Sequence, residues 1–482
     1  MLSLSRILEA QTPLTLSSFT RGAQPLVLGD LAQNSKGRTV FIAPDEAAMR
    51  AISDTVNFFA PDVQVIEFPA WDCLPYDRSS PALSVSAKRL TALYQLQANI
   101  ETPQLLITTA NAVTQRLLKP FRVRECLKEL KPGIILEHDS LSRLLVRQGY
   151  TRTDTVVDHG EYALRGSVID IFPSSLDKGL RLDFFGDELE SLRLFDPNTQ
   201  MTIDKIERHL LLPASEAIID DGSIKRFRSR YREAYGASST QDPLYQAVTE
   251  GRRLAGMEHW LPFYENELAT IFDYLTPKDQ ILVDSGAATA FEERFNDLED
   301  YYQARAKISG NIDNISYRPI AKSLMYLNEQ ELNDQLLKFN AHRCIVFPEP
   351  ETKKNIDLGF SSARDFTPER KQGLNIYKEV GLYLNKVLKN NKKVIIAAYS
   401  NGSRSRIISI LAEAGFVLTP ADTWLTALSL CSMKHAVAVV LPLDRGFANS
   451  DIECITEQDI LGDRLVRRRK RRKNADAFLA EL

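Results

Sequence analysis

Two strand-like stretches contain side chains that could either stabilise the fold or bind a partner. Residues 159–173 read HGEYALRGSVIDIFP, and residues 181–196 read RLDFFGDELESLRLFD. Arg165, Arg181 and Phe185 lie within them. A guanidinium group can hold a carboxylate through two parallel hydrogen bonds, and exposed aromatic side chains concentrate binding energy at interfaces. The three residues are therefore candidates for a protein-binding surface.

The same three side chains could instead be structural. Phe185 would then fill the local core, and the two arginines would pair with acids close in the sequence: Asp183, Asp187 or Glu188. Phe184 and Phe185 are neighbours on a predicted strand and so point to opposite faces, which allows one ring to be buried while the other is exposed. The residues by themselves leave both interpretations open.

A phosphate-binding loop would be the clearest sign of nucleotide hydrolysis, and its pattern is incomplete. Such a loop needs glycines whose backbone N–H groups hold phosphate, a Lys for the terminal phosphates and a Ser or Thr for Mg²⁺. We expect it just before the strand-like TVFIAP (39–44), where the sequence reads PLVLGDLAQNSKGRT (25–39). Gly29 and Lys36 are present, but a second glycine and a Lys-Ser/Thr pair are missing at the required spacing. We therefore expect no ATP hydrolysis by this loop.

Three further stretches have a functional and a structural interpretation, and we favour the structural one in each. DEAA (45–48) resembles the acidic box of helicases but also the start of a helix, where acids are favourable. NGSRSR (401–406) could bind an anion at a helix N-terminus or form a polar turn. FPAWDCLPYDRSSP (68–81) could stack nucleobases, but Asp72 and Asp77 would repel phosphate, which favours a rigid packed loop.

The most basic segment lies near the C-terminal end of the chain. Seven consecutive basic residues could contact a nucleic-acid backbone: Arg467, Arg468, Arg469, Lys470, Arg471, Arg472 and Lys473. Runs of like charge are more often solvated tails or linkers. The net charge of −3 gives no overall nucleic-acid signature, so both interpretations of this segment stay open.

Metal, redox and membrane functions find little support. The six histidines show no metal-ligand spacing, and the five cysteines are scattered without a CxxC pair, which argues against zinc sites and disulfides. We expect no cofactor and no metal in this chain. The composition is 44% hydrophobic, and no apolar run approaches the ~20 residues of a membrane span, so we expect a cytoplasmic protein without a membrane partner.

The fold class predicted from the sequence is multidomain α/β. A length of 482 residues suggests roughly three domains. Strand-like TVFIAP, a helical stretch at 84–97 and strand-like QLLITT (104–109) follow one another as in a parallel α/β layer. Short strands then dominate, which indicates an inserted, mostly antiparallel domain. We predict these units: a first α/β domain (1–125 plus 214–300), the inserted domain (126–213), a linker or surface segment (301–341), a third domain (342–460) and a basic linker (461–482).

A series of ordered segments closely resembles the N-terminal portion of the bacterial transcription-repair coupling factor. The resemblance covers essentially the whole chain and is strongest from 68 to 275. The segments that carry it are FPAWDCLPYD, LLITTANAVTQRL, HGEYALRGSVIDIFP, RLDFFGDELESLRLFDPNTQ, LLPASE, GMEHWLPFYENELATIFDYL and DILGDRLVRRR. Many ordered segments together are far more specific than a single motif.

The resemblance implies a fold and a function. In that family this portion is similar to the damage-handling protein UvrB: a degenerate helicase-like (RecA-like) domain, an inserted domain that binds UvrA and a third α/β domain. The positions that match its UvrA-facing residues are Arg165, Arg181 and Phe185. It implies that the chain recruits UvrA to stalled transcription complexes in nucleotide excision repair and restrains the translocase of the full-length protein.

The motor of full-length family members uses ATP and Mg²⁺, and RNA polymerase and DNA are partners of the full-length protein. No segment here resembles the motor or the polymerase-binding domain, toward which residues 461–482 would lead. We therefore expect a non-catalytic chain. Two alternatives remain: a UvrB-type, DNA-dependent ATPase that binds damaged DNA and has an aberrant phosphate loop, and a nucleic-acid-binding module that works through the basic segment.

Overall fold

The structure is a computed structural model that describes residues 2–308, 318–432 and 435–462. The described residues form the following strands, in chain order: β1 (Thr15–Ser17), β2 (Thr39–Ala43), β3 (Gln64–Phe68), β4 (Gln104–Thr109), β5 (Lys128–Leu130), β6 (Thr151–Arg152), β7 (Glu161–Arg165), β8 (Val168–Ile171), β9 (Gly179–Phe185), β10 (Glu188–Phe195), β11 (Thr202–Ile206), β12 (His209–Leu211), β13 (Gln280–Val283), β14 (His342–Cys344), β15 (Asn355–Asp357), β16 (Ser361–Ser362), β17 (Lys393–Ala398), β18 (Thr419–Ala421), β19 (Val437–Val440), β20 (Phe447–Ala448) and β21 (Ile452–Thr456).

The α-helices surround these strands. In chain order they are α1 (Leu2–Leu8), α2 (Gln24–Asn34), α3 (Glu46–Phe59), α4 (Leu83–Gln95), α5 (Ala110–Val113), α6 (Pro120–Glu125), α7 (His138–Arg147), α8 (Asp221–Tyr235), α9 (Pro243–Thr249), α10 (Leu261–Tyr264), α11 (Ala287–Ile308), α12 (Lys322–Met325), α13 (Glu329–Lys338), α14 (Thr367–Lys371), α15 (Ile376–Lys389), α16 (Asn401–Glu413), α17 (Trp424–Ser432) and α18 (Glu457–Leu461). Short 3₁₀ helices span Ala237–Gln241, Met257–Trp260 and Ile271–Tyr274.

The first sheet has seven parallel strands in the order β15-β1-β14-β13-β2-β4-β3. Every residue of β2 and β4 is buried, as expected for central parallel strands covered on both faces. Alternate residues of β2 enter two different cores, with Val40 and Ile42 in one and Phe41 and Ala43 in the other. Both faces of this sheet are therefore closed by packed side chains.

Residues 25–39, where we expected the place of a phosphate loop, are mostly helix α2. The expected position of the loop was therefore wrong. Gly29 lies inside α2, where an added Cβ would approach Cβ of Ala60 at 2.8 Å. The glycine therefore allows α2 and the end of α3 to pack closely. The loop that leads from β1 into α2 covers residues 18–23, and its glycine is Gly22. DEAA is the start of α3, as predicted, because the Asp45 carboxylate accepts a hydrogen bond from the backbone N–H of Ala48 at 2.8 Å.

The second sheet has six strands in the order β11-β10-β9-β8-β7-β6 and is antiparallel except for the β6–β7 pair. Its inner face packs against α7 around Leu141 and Leu145. Strands β5 and β12, which precede and follow these six strands in the sequence, form a separate antiparallel pair. All six strands come from residues 151–206, so this sheet is built from one continuous stretch of sequence.

The third sheet has the order β16-β20-β21-β17-β19-β18, with β17, β18, β19 and β21 parallel. Helices α15 and α16 cover one face, and α17 covers the other. Trp424 of α17 also meets Phe59 of α3 with ring centroids 4.9 Å apart, so the third sheet packs against the helices of the first. The chain is thus a mixed α/β protein with several sheets. Strands β14 and β15 lie after residue 341 but join the first sheet.

In the described part of the chain, every helix is too short or too polar to cross a bilayer.

Candidate functional site

The two faces of the six-stranded sheet differ sharply along β9. Leu180, Leu182 and Phe184 are buried and belong to the core shared with α7. Because side chains alternate along a strand, Arg181 and Phe185 point to the opposite side, which we call the outer face. A small second core around Phe195 covers one end of the outer face. The end near the hairpin turns is left accessible.

Strand register brings the three predicted binding residues together on this face. Arg165 of β7 lies opposite Val168 of β8, and Val168 lies opposite Asp183 of β9. Arg165 is therefore level with Asp183, about 10 Å away across two strand spacings. Arg181 and Phe185 are the outward neighbours of Asp183 on β9 itself. The three side chains thus surround one point of the sheet.

Two tight turns define this end of the sheet. Residues 166–167 connect β7 to β8, and residues 186–187 connect β9 to β10. Gly166 and Gly186 both have φ of +62°, a conformation that other residues adopt only with strain. An added Cβ would meet nothing within 4 Å at either glycine, so the backbone conformation, not space, requires them. The turns fix Arg165 and Phe185 in short, well-defined hairpins.

Phe184 and Phe185 divide between the two faces as the alternation predicts. Phe184 is 5% exposed and packs edge-on against His138, with ring centroids 4.4 Å apart. Phe185 is 80% exposed, the largest exposure among the large apolar side chains of the described residues. The interpretation of Phe185 as a core residue is therefore wrong. The fold gains almost nothing from a phenyl ring at this position.

Arg181 is already engaged within the sheet. Its Nε donates to Oδ1 of Asp170 at 2.7 Å, and its second terminal nitrogen donates to Oδ2 at 2.9 Å. The guanidinium also lies over the ring of Phe195 at 4.8 Å from the centroid. The hydrogen bonds to Asp170 raise the pKa of Arg181 above its ordinary value. Its carboxylate partner is thus on the neighbouring strand β8, not among the acids close in sequence that the structural interpretation named.

Arg165 is exposed and bound only to neutral groups. One terminal nitrogen donates to the backbone carbonyl of Asp154 at 2.9 Å and to Oγ1 of Thr155 at 3.1 Å. Within the part of the chain that the structure describes, no carboxylate forms an ion pair with it. The guanidinium of Arg165 is therefore accessible to a partner carboxylate. The guanidinium of Arg181 is much less accessible, because Asp170 already holds it.

A basic row crosses the outer face, and sequence reasoning missed two of its members. Arg193 of β10 lies opposite Arg181, and Lys205 of β11 lies opposite Arg193. Arg193 holds Asp183 through two hydrogen bonds, at 2.8 and 2.5 Å. Burial tends to raise the pKa of Asp183, but the bonds from Arg193 and Ser191 outweigh it and keep this pKa below its ordinary value. In ESLRLFD, side chains alternate between the two faces, so Arg193 points away from the face of Leu192. This alternation could have identified Arg193 as an outer-face residue.

The other sequence candidates do not assemble with this face. The basic residues 467–473 lie outside the described residues. The NGSRSR stretch was expected to be a polar turn but forms the start of α16, which Ser400 caps; its Arg404 pairs with Asp422 at 2.7 Å. The loop at 68–81 is packed on the protein as predicted: Tyr76 is 1% exposed, and Trp71 donates to Glu216 at 2.8 Å.

The chemistry of the outer face is that of binding. It offers an exposed guanidinium, a basic row balanced by two carboxylates and an exposed phenyl ring held on a rigid sheet. Across residues 2–308, 318–432 and 435–462, no three His, Cys, Asp or Glu side chains are placed to hold a metal ion. Arginine and aromatic side chains on an ordered surface are typical anchors of protein–protein contacts.

Comparison with known proteins agrees with an interaction role for this region. A family profile described as the UvrB interaction domain matches residues 129–216, which contain the whole six-stranded sheet. A second profile, described as the MFD, D3 domain, matches residues 387–460 in the third sheet. The sheet and the profile together show a mixed α/β protein in which residues 129–216 are similar to a protein-interaction domain.

Curated proteins of one name are similar to this chain. The transcription-repair-coupling factor of Escherichia coli is 29% identical over 97% of this chain and 40% of its own length. The factor of Haemophilus influenzae gives the same values, and that of Myxococcus xanthus is 34% identical over 52% of this chain and 22% of its own length. The chain is similar to the N-terminal portion of these transcription-repair-coupling factors, which confirms the resemblance. It spans about 40% of the length of the first two.

The similarity to one solved structure is too low to support a statement about the fold. A pyruvate kinase from Cryptosporidium parvum covers 95% of both chains at 12% identity, but its TM-score is 0.12.

Proposed function

We propose that this chain is a non-catalytic recruiting module in transcription-coupled repair, and that it binds UvrA through the outer face of the six-stranded sheet. One observation carries the proposal. Phe185 is 80% exposed on the same face as the accessible guanidinium of Arg165, within the region that matches the UvrB interaction domain. Arg165 would pair with an acidic group of UvrA, and Phe185 would enter an apolar recess. Arg181 would act mainly by holding the sheet around them.

The proposal includes a degenerate helicase-like (RecA-like) fold for the domain around the first sheet, which would hydrolyse no nucleotide. The loop after β1 is where a nucleotide-binding fold of this type would hold phosphate, and it has one glycine and no Lys-Ser/Thr pair. A Cβ at Gly22 would lie 2.4 Å from the carbonyl oxygen of Arg445 and 2.7 Å from that of Gly446. The backbone that precedes β20 is thus packed directly against this loop, and its carbonyl oxygens would repel phosphate.

The wider role follows from the relatives and belongs to the same proposal. The chain would bring UvrA to stalled transcription complexes in nucleotide excision repair in the bacterial cytoplasm. In a full-length protein it would also restrain the ATP-driven translocase. Contacts with RNA polymerase and DNA, and the use of ATP and Mg²⁺, would then be properties of the other domains.

The alternative of a UvrB-type ATPase has little support in this geometry. Gly29 is inside α2, and Lys36 is an exposed residue beyond its end. The two residues therefore do not form a loop that could hold phosphate. DNA-stimulated ATP turnover that disappears in Lys36→Ala would favour this alternative over the recruiting module.

Calorimetry with purified UvrA tests the proposal. The double variant Arg165→Ala with Phe185→Ala removes the two exposed anchors and should lose at least about 2 kcal/mol of binding free energy, the scale of interface hot spots. A matched control is Arg343→Ala with Phe347→Ala, which removes an exposed arginine and a 78% exposed phenyl ring beside the first sheet. The control should bind like the wild type. Circular dichroism verifies that both variants remain folded.

Two results would contradict the proposal. Wild-type protein that does not bind UvrA removes the recruiting function. Equal binding by the folded outer-face variant and its control removes the proposed surface.

A further inference from the structure

A second exposed apolar side chain lies in line with Phe185. Ile135 is 75% exposed, although it sits in a segment that is fixed to the sheet. The backbone N–H of Leu136 donates to the carbonyl of Asp187 at 2.7 Å, and that of Leu189 donates to Ile134 at 3.0 Å. These two bonds flank an antiparallel bridge between Ile135 and Glu188. Ile135 is therefore held at a defined position on the edge of β10 that also pairs with β11 further along the strand.

Register places Ile135 and Phe185 on the same face. Glu188 lies opposite Phe185 across the β9–β10 hairpin and opposite Ile135 across the bridge. Residues directly opposite each other in antiparallel pairs project to the same side of the sheet. Phe185, Glu188 and Ile135 thus form one row on the outer face, with the two apolar residues about 10 Å apart.

The neighbours of Ile135 confirm which side it faces. Ile134 and Leu136 pack against the core on the inner face of the sheet. Single exposed apolar residues are common and need no explanation. Here, however, two of the most exposed apolar side chains of the described residues flank one carboxylate on a rigid surface. Among the described residues, no cation forms an ion pair with Glu188, so its carboxylate is also accessible to a partner.

We propose that Ile135 is a second apolar anchor of the UvrA-binding face, and that Glu188 between the two anchors accepts a hydrogen bond from the partner. The inference rests on the proposed function. It specifies that the matching surface of UvrA has two apolar recesses about 10 Å apart with a donor group between them. The binding face then extends beyond β7 and β9 onto the segment at 133–136, which lies at the edge of the sheet next to β10.

The test is calorimetric binding of UvrA to the full chain with Ile135→Ala. Loss of a buried side-chain contact of this size should weaken binding roughly ten-fold. Val417→Ala is the matched control, because Val417 is another β-branched residue with 77% exposure and lies before β18 of the third sheet. The control should change binding by less than about two-fold. Because Ile135 is mostly exposed, its truncation should shift Tm by less than about 2 °C.

The outcomes separate this inference from the proposed function. If the wild type binds, Arg165→Ala with Phe185→Ala binds weakly and Ile135→Ala binds normally, the extension to Ile135 is wrong and the recruiting function stands. If the wild type does not bind, both are wrong. If Ile135→Ala loses its fold, Ile135→Thr keeps the β-branched backbone preference and replaces it in the test. Normal binding by Ile135→Thr would overturn the inference.

Discussion

The seven-stranded and six-stranded sheets use their faces in opposite ways. Helices and loops close both faces of the parallel sheet, whose central strands are completely buried. The antiparallel sheet buries its inner face and one end of its outer face, and the other end of the outer face keeps Arg165 and Phe185 accessible. Parallel strands need crossover connections that cover both faces, whereas hairpins leave one face free. The connection type therefore explains why a partner surface is available on one sheet and not on the other.

Charged side chains also differ between the two sheets in burial and pairing. Next to the parallel sheet, Arg89 and Glu216 form an ion pair with side-chain exposures of 0% and 1%, at 2.6 Å. Trp71 and the carbonyl of Pro69 complete its hydrogen bonds. On the outer face, Arg165 is exposed and contacts only neutral groups. A buried charge must be paired to be tolerated, whereas an exposed one is free to serve a partner.

The largest effect is expected at the buried pair. Glu216→Ala leaves the fully buried Arg89 guanidinium without its counter-ion, so the free energy of unfolding should fall by about 3–5 kcal/mol. Denaturant titration followed by circular dichroism measures it. Glu331→Ala, which breaks the partly exposed pair with Arg116, is the control and should lose less than about 1 kcal/mol. Equal losses in the two variants would show that burial does not govern these pairs.

Arg181 should behave as a structural residue, although it lies on the outer face. The Asp170 carboxylate that it holds is 1% exposed, so Arg181→Ala leaves a buried acceptor without its donor. We expect a loss of about 2–3 kcal/mol in unfolding free energy. The same denaturant titration measures it. A variant as stable as the wild type would mean that water replaces the guanidinium and that Arg181 is available to a partner after all.

The parallel sheet should also contribute a pH dependence. His342 is 2% exposed, its Nδ1 accepts a hydrogen bond from the backbone N–H of Leu14, and burial lowers its pKa from 6.5 to about 4. Because the folded pKa is depressed, the unfolded chain binds the proton first. The contribution of His342 to stability is complete above pH 6.5 and is lost as the pH falls toward 4. At pH 5 the loss amounts to about 2 kcal/mol.

Denaturant titrations at pH 7 and pH 5 check this prediction. The difference between the two values should be about 2 kcal/mol smaller in His342→Asn than in the wild type. An unchanged difference would exclude His342 as the source.

The smallest effect on stability is expected for Arg165. Its contacts are exposed and neutral, so Arg165→Ala should change unfolding free energy by less than about 0.5 kcal/mol. Its binding to UvrA should nevertheless weaken. Thermal unfolding and calorimetry on one preparation measure both quantities. Arg165→Ala that is as destabilised as Arg181→Ala would remove the distinction between an accessible and an engaged arginine.

Local patterns predicted a good part of this arrangement. The strand–helix–strand order predicted an α/β protein, and dense short strands predicted an antiparallel sheet. Alternation separated Phe184 from Phe185 without coordinates. The pairing of Arg181 with Asp170 could not be predicted, because residues 172–178 connect β8 to β9 and a connection of that length does not fix the register.

Long-range pairing was also out of reach of the sequence. Strands β14 and β15 are short and lie after residue 341, yet they pair with β1 near the start of the chain. Nothing local in a three-residue strand specifies a partner that far away. The exposure of Ile135 was hidden for a related reason, since its bridge to Glu188 joins segments about 50 residues apart.

The pairing of β1 with β15 has a consequence during synthesis on the ribosome. These strands are separated by roughly 340 residues, so at 5–20 residues per second β1 waits about 20–70 s for its edge partner. The six-stranded sheet needs only residues 151–206 and can close within seconds of emerging. The outer face is therefore expected to exist on the nascent chain well before the parallel sheet is complete.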